Sequence, residues 1–230
     1  AEVLRLCLTY QKEYLIIGNG SNLLVSDKGI SGVVIEIGKQ MDEITVDGTT
    51  IYAQAGAMLS KTAHAALEAG LTGMEFAAGI PGCVGGAVVM NAGAYGGEMK
   101  DVLTSVRVMT EEGEIMELPA EKLGLGYRTS IIPEKRYIVL GAVISLTEGK
   151  KEEIKAQMDD LRQKRVSKQP LEYQSAGSTF KRPEGYFAGK LIQDSGLKGF
   201  TVGGAQVSEK HSGFVINKGN ATAKDITDLI

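Results

Sequence analysis

Residues 79–97 read GIPGCVGGAVVMNAGAYGG, and the chain is organised around them. Seven of the nineteen are glycine: Gly79, Gly82, Gly85, Gly86, Gly93, Gly96 and Gly97. A fixed glycine costs more conformational entropy than alanine, so a fold concentrates glycine where its backbone must approach something closely. The interleaved Ile80, Val84, Ala87, Val88, Val89 and Met90 exclude a flexible linker. The stretch reads as a buried, ligand-lining loop and short helix against a partner that is large and flat, or anionic. Its glycine spacing suggests a phosphate cradle, yet the lysine of a P-loop is missing. A tight helix-to-strand crossing is the alternative, although Asn91-Ala92-Gly93 adds a small polar edge that packing does not ask for.

Working outward, a second glycine loop, Gly18-Asn19-Gly20-Ser21-Asn22, follows an apolar strand at Tyr14–Ile17. Its small residues let successive N–H groups converge on a phosphate; a plain tight turn fits equally well. It is not the dinucleotide fingerprint, because Leu23 stands where a third glycine is needed and residues 23–25 read as another strand. The two loops read as two walls of one cofactor site.

The totals narrow the partners. A net charge of −3 and a pI near 5.6 argue against a nucleic-acid or anionic-membrane surface. No apolar run approaches the roughly 20 residues needed to span a bilayer. No signal-peptide pattern opens the chain. Two cysteines, Cys7 and Cys83, outside any CxxC spacing, fit neither a disulfide framework nor a zinc site, and the expected compartment is a reducing cytosol. Residues 2–12 look like a helix with no cap before it and 223–230 like a helix with no end. Both termini read as cut from a longer protein.

Between these ends, residues 32–36, 44–46 and 50–54 read as strands, with Asp47-Gly48 as a hairpin turn. Ser60 reads as the N-cap of a helix through Ala69, closed by Gly70. His64 in that helix and His211 before a late strand read as structural and peripheral, and Cys83 as a small core residue. Residues 102–110 and 114–118 form a hairpin, and 138–146 a long apolar strand. A charged helix follows at 152–166, with Ile154, Met158 and Leu161 on one face. Arg162, Lys164, Arg165 and Lys168 crowd its end, a solvated face or a meeting point for an anionic substrate. Arg128, within Tyr127-Arg128-Thr129-Ser130, reads as a surface cation. Ser178 follows a small-residue turn with no GxSxG elbow and no base placed to activate it; it is a turn serine or a group that orients a proton. Further elements are expected at 188–194 (helix) and at 201–207 and 214–217 (strands), with Thr222 capping a last helix.

Five motifs in order then carry a family resemblance: GNGSNLLVSD at 18–27, GIPGCVGGAVVMNAGAYGGE at 79–98, YRTS at 127–130, SAGSTFKRP at 175–183, and AGKLIQDSGLKG with GGAQVSEKHSGFVIN across 188–217. Together they resemble the UDP-N-acetylenolpyruvoylglucosamine reductases, flavoenzymes of bacterial peptidoglycan synthesis, over essentially the whole chain. The resemblance implies an α+β protein: a two-lobed FAD-binding domain of the vanillyl-alcohol-oxidase type over 1–148 and a smaller α+β substrate-binding domain over 149–230. It implies non-covalent FAD held by Gly18, Asn19, Gly20, Ser21, Asn22, Leu23, Gly79, Pro81, Gly82, Gly85, Gly86, Asn91, Ala92 and Gly93, with NADPH as reductant. It implies Arg128 at the enolpyruvyl carboxylate, Ser178 as proton donor to C2, and Tyr127, Lys181, Arg182 and Gln206 against the nucleotide-sugar substrate. A cytoplasmic monomer without a metal, nucleic-acid or membrane partner is expected. The family's C-terminal catalytic glutamate, its threonine-rich N-terminal segment and the tyrosine-bearing insertion of one subtype do not occur in these residues. The sequence leaves two other readings. Another FAD oxidoreductase of the same fold would link its flavin through His64 or Cys83, and a non-catalytic nucleotide-binding protein would need no Arg128.

Overall fold

The computed structural model describes residues 1–230. They divide into two compact units, residues 1–20 with 31–162, and residues 21–30 with 163–230. The division after residue 162 falls inside the helix Lys151–Lys168, and the first glycine loop changes unit after Gly20.

The first unit opens with α1 (Glu2–Thr9) and a parallel pair, β1 (Tyr14–Ile17) with β2 (Val33–Glu36). β3 (Ile44–Asp47) and β4 (Thr50–Gln54) form a hairpin whose Asp47 pairs with Thr50, so the turn is Gly48-Thr49, one residue beyond the position expected. Gly48 has φ +55, the left-handed geometry that hairpin turns require. α2 (Leu59–Glu68) and β5 (Leu71–Thr72) follow. Met58, not Ser60, precedes α2 as its N-cap, and it makes no side-chain cap; the backbone bridge from Met58 to Cys83 sets the helix start instead. Gly70 does close the helix, with φ +71.

α3 (Val84–Val89) is followed by the short pair β6 (Gly93–Ala94) and β7 (Gly97–Glu98). β8 (Leu103–Met109) and β9 (Ile115–Pro119) form the expected hairpin, and β10 (Ile138–Ser145) the long strand. The resulting antiparallel sheet has the order β3-β4-β10-β8-β9. Its central strands read Ile-Val-Leu-Gly-Ala-Val-Ile-Ser and Leu-Thr-Ser-Val-Arg-Val-Met, β-branched and apolar as a covered strand needs. Ile51, Ala53, Val106, Val108 and Ile144 from the sheet pack with Leu59, Ala63, Val84 and Val88 from the helices in one core. Burying each larger aliphatic side chain contributes roughly 1.5–3 kcal/mol. β11 (Thr147–Glu148) pairs with β5, and α4 (Lys151–Lys168) buries Ile154 and Met158 but leaves Leu161 partly exposed.

The second unit holds α5 (Ala188–Asp194), a three-stranded antiparallel sheet of β12 (Thr201–Val202), β13 (Ala205–Val207) and β14 (Val215–Asn217), and α6 (Ala223–Leu229). The single strand expected at 201–207 is a hairpin, broken at Gly203-Gly204, where Gly203 has φ +54. Residues 23–25 are not a strand: they carry no ladder, and Leu23, Leu24 and Val25 are 42–45% exposed. Three apolar residues without a partner edge cannot form a sheet. Thr222 caps α6 as expected, its hydroxyl accepting the Asp225 N–H at 3.0 Å in a reciprocal capping box. The Asp27 carboxylate accepts the Ala223 N–H at 2.9 Å, which fastens segment 21–30 to this helix.

Candidate active site

In the first unit the two glycine loops meet. A Cβ built on Gly18 would lie 2.2 Å from Cys83 Sγ, so only glycine brings β1's end this close to the start of α3. The first two N–H groups of α3 are already taken: Val84 donates to Ala57 O and Gly85 to Ala55 O, each at 2.8 Å. Gly85 is buried, with its absent Cβ 3.0 Å from the Ala55 methyl. α3 is thus pressed onto the end of β4, and its start is not a phosphate cradle of the P-loop kind. What the stretch leaves open is a strip of backbone: Gly79, Pro81 and Gly86 are exposed, as are Asn19 and Gly20. Gly82, Ala92 and Gly93 are half-buried.

The far end of the stretch is held by one asparagine. Asn91 is wholly buried and has φ +41. Its Nδ2 donates to Glu98 Oε2 at 2.6 Å and to Gly126 O at 3.0 Å, while its Oδ1 accepts the Lys100 N–H at 2.9 Å. Every polar atom of that side chain is spent inside the protein, so Asn91 shapes the site and does not itself present an amide to a ligand. Glu98 in turn pairs with Lys100 at 2.6 Å, and the Lys100 ammonium is held above its ordinary pKa by that carboxylate.

Arg128 stands on this frame. Tyr127 and Arg128 are the middle of a tight turn closed by reciprocal Gly126 and Thr129 backbone bonds of 3.2 and 3.3 Å. Arg128 has φ +56, a conformation that costs a non-glycine residue on the order of 1–3 kcal/mol. Its half-buried guanidinium donates to Gly93 O at 2.8 Å and to Asn91 O at 3.4 Å, and lies 5.3 Å from the Tyr127 ring centre. Ser130 Oγ donates to Val89 O at 2.7 Å, so the same loop is pinned to the end of α3. Six non-glycine residues have positive φ, and Asn91, Tyr95 and Arg128 are three of them. Such strain gathers where surrounding structure enforces a functional geometry. Arg128, which from sequence reads as a surface cation, makes its contacts with the glycine stretch instead. The roles of Ser130 and Glu98 went unread, although both lie inside quoted motifs.

In the second unit Ser178 is exposed, with Oγ donating to Gly213 O at a long 3.4 Å. The neighbouring Thr179 N–H donates to the same carbonyl at 2.8 Å. Lys181 and Arg182 are exposed on the same segment, and the Arg182 guanidinium lies 4.5 Å from the Phe187 ring centre. Gln206 spends its Nε2 on Gly199 O and Thr201 Oγ1, at 3.2 and 3.1 Å, leaving only its oxygen free to turn outward. His211, read as peripheral from sequence, lies beside Ser178: its Nδ1 accepts the Gly213 N–H at 3.1 Å. Burial holds its imidazole below the usual histidine pKa.

Comparison with known proteins names the family. A family described as "FAD binding domain" matches residues 1–119, and "UDP-N-acetylenolpyruvoylglucosamine reductase, C-terminal domain" matches 169–230. The UDP-N-acetylenolpyruvoylglucosamine reductase of Clostridium perfringens strain SM101 is 62% identical over 227 residues, covering 99% of this chain and 74% of that protein. The chain belongs to the UDP-N-acetylenolpyruvoylglucosamine reductase family. The reductase of Clostridioides difficile is 57% identical over 228 residues, covering 99% of this chain and 75% of that protein. The crystal structure of the reductase from Thermus caldophilus superposes with a TM-score of 0.86 at 41% identity, covering 99% of this chain and 82% of that one. The chain spans about three quarters of the length of the curated relatives.

Reductases of this family are FAD-dependent oxidoreductases that use NADPH. The first unit fits the cofactor. Gly18, Asn19 and Gly20 donate their N–H groups to no backbone acceptor, and beside Gly20 there is open space where a Cβ would stand. Such unspent donors suit an anionic phosphate, and the exposed strip of Gly79, Pro81 and Gly86 suits a flat ring.

Proposed function

We propose that this chain reduces the enolpyruvyl ether of UDP-N-acetylglucosamine-enolpyruvate to UDP-N-acetylmuramate, with Arg128 and Ser178 acting on the reacting atoms. Bound FAD, reduced by NADPH, supplies the hydride that reaches C3. Arg128 holds the substrate carboxylate and faces the negative charge that grows as C3 gains the hydride and C2 becomes enolate-like. A guanidinium already fixed by two carbonyls needs no reorganisation when that charge appears, and this is where electrostatic stabilisation is most effective. The Ser178 hydroxyl gives its proton to C2 and regains one from water. One hydride and one proton thus convert the C2–C3 double bond to a single bond, and NADPH is oxidised.

Gly18, Asn19 and Gly20 hold the FAD pyrophosphate through their backbone, followed by Ser21, Asn22 and Leu23 as the chain leaves the loop. The strip of Gly79, Pro81, Gly82, Gly86, Ala92 and Gly93 faces the isoalloxazine, with Gly85 and Asn91 shaping it from within. Tyr127, Lys181, Arg182 and the Gln206 oxygen meet the nucleotide-sugar substrate. In this reading residues 1–148 bind FAD and also lend Tyr127 and Arg128 to the substrate, while 149–230 form the substrate-binding domain. A cytoplasmic monomer is part of the same reading.

The observation that carries the reading is the Arg128 guanidinium, held in a strained turn against the Gly93 carbonyl at 2.8 Å. The test separates the two half-reactions by anaerobic stopped flow. Ser178→Ala in the intact protein is expected to reduce its flavin with NADPH at the ordinary rate. Its reoxidation by the enolpyruvyl nucleotide is expected to slow by about 10²–10⁴-fold, the range of a positioned proton donor. Reoxidation at the unaltered rate would remove Ser178 from the chemistry.

A further inference from the structure

We infer that His211 is a positioning residue for Ser178, acting through the main chain of Gly213. The inference rests on the reading that Ser178 donates the proton. Ser178 Oγ donates to the Gly213 carbonyl at 3.4 Å, and the Gly213 N–H donates to His211 Nδ1 at 3.1 Å. One glycine therefore touches both side chains through its two backbone groups. A Cβ placed on Gly213 would lie 3.1 Å from Ser178 Oγ and 3.0 Å from His211 Cε1, so the hydroxyl and the ring close on the same point. That space is filled only because residue 213 has no side chain.

The ring is fixed from its other sides. It meets the Phe214 ring edge-on with centroids 4.9 Å apart, a favourable aromatic arrangement. The start of α5 abuts it as well, since a Cβ on Gly189 would lie 3.5 Å from its Cε1. The main-chain N–H of His211 donates to Ser208 Oγ at 3.2 Å, which holds the backbone that carries the ring. Ser212, the residue between His211 and Gly213, has its hydroxyl buried without a partner. A buried orphan hydroxyl calls for an explanation, and a loop shaped to set Gly213 supplies one.

Because Nδ1 accepts, the ring must be unprotonated at that nitrogen, and the downward displacement of its pKa by burial favours that form. Its geometry, a side-chain acceptor reaching the N–H two residues on, is the one an asparagine makes in an Asx-turn. His211→Asn is therefore the conservative replacement and His211→Leu the disabling one.

The test again uses separated half-reactions of the FAD-loaded protein. His211→Leu is expected to leave reduction by NADPH unchanged and to slow reoxidation by the enolpyruvyl nucleotide about 10- to 100-fold, as misplacing a reacting group does. His211→Asn is expected to recover most of that loss. Gly213→Ala, at a position whose φ is not left-handed, is expected to slow the same step by wedging the hydroxyl aside. An equal loss in both half-reactions of His211→Leu would mark His211 as merely structural and overturn the inference. So would an asparagine variant as slow as leucine. If Ser178→Ala slows reoxidation and His211→Leu does not, His211 falls alone. If neither variant slows it, the proton-donor reading falls first.

Discussion

At Arg128 the chain holds a non-glycine residue at φ +56 and a half-buried guanidinium against two carbonyls. The fork geometry of arginine makes that bridge; an ammonium is a point donor and cannot span both. Arg128→Lys is therefore expected to keep the charge yet slow flavin reoxidation by about 10²–10³-fold, the usual loss when one preorganised donor is misplaced. Asn91 offers a stability counterpart. Removing its side chain in Asn91→Ala strands the Lys100 N–H, Gly126 O and Glu98 groups, and we expect a loss of about 1–3 kcal/mol in urea unfolding. Tyr14 offers a pH counterpart. Its hydroxyl donates to Glu111, which also pairs with Arg136 at 3.3 Å, and its pKa is pushed up to about 12 by burial first and by that carboxylate second. A phenol that holds its proton longer in the folded state stabilises the fold fully below its ordinary pKa of 10.0 and loses that contribution as pH rises toward 12. A tyrosinate absorbance titration should show one late-ionising tyrosine, absent in Tyr14→Phe. A Tyr14 that titrates with the exposed tyrosines would contradict the contact.

Among the elements, the glycines of the organising stretch divide by what surrounds them. A Cβ on Gly97 would lie 2.6 Å from the buried Phe76 ring, whereas one on Gly96 meets nothing. Gly97→Ala is expected to cost about 1–3 kcal/mol from overpacking. Gly96→Ala, which has room but φ +94, pays backbone strain alone. In urea melts a Phe76→Leu background is expected to shrink the Gly97→Ala loss and leave the Gly96→Ala loss as it was; a Gly97→Ala loss unchanged by Phe76→Leu would contradict the account. α6 depends on its capping box: Thr222→Ala is expected to cost ~1 kcal/mol. Asp225 is held below its usual carboxylate pKa by the Thr222 and Gly204 N–H groups, so its support is complete above 3.8 and fades as pH falls further. Much of this was legible in sequence. The alternation of residues 103–119 and 138–145, and the glycine density of 79–97, name their elements because burial and close approach leave a local mark. Residues 23–25 and 201–207 misled, because a short apolar run does not say whether a partner edge exists or where Gly203 turns. His211 was missed because its acceptor role depends on the loop that bends Gly213 back to it, not on its neighbours in sequence.

At the scale of the molecule, the two units differ in how they are built. The first has a large core between its sheet and α2 and α3, and a smaller cluster of Leu4, Met109 and Ile138. The second has a small sheet with Ala205, Phe214, Val215 and Ile216 buried, and helices that bury little. The division assigns the glycine stretch and Arg128 to one unit and Ser178 and His211 to the other. The FAD-binding and reductase C-terminal families match along the same order of chain, 1–119 and then 169–230. The motifs therefore announced the cofactor and reaction before any coordinates did. What they could not announce was that Asn91 is wholly internal and that Gln206 has spent its amide, since both facts depend on contacts made after folding. The measurement that tests the central claim most directly is an anaerobic absorbance titration of the FAD-loaded protein, first with NADPH and then with the enolpyruvyl nucleotide. Bleaching of the flavin by NADPH and its return on adding the nucleotide, with one UDP-N-acetylmuramate formed per flavin reoxidised, is the predicted result. A flavin that bleaches and does not return with the nucleotide would contradict it.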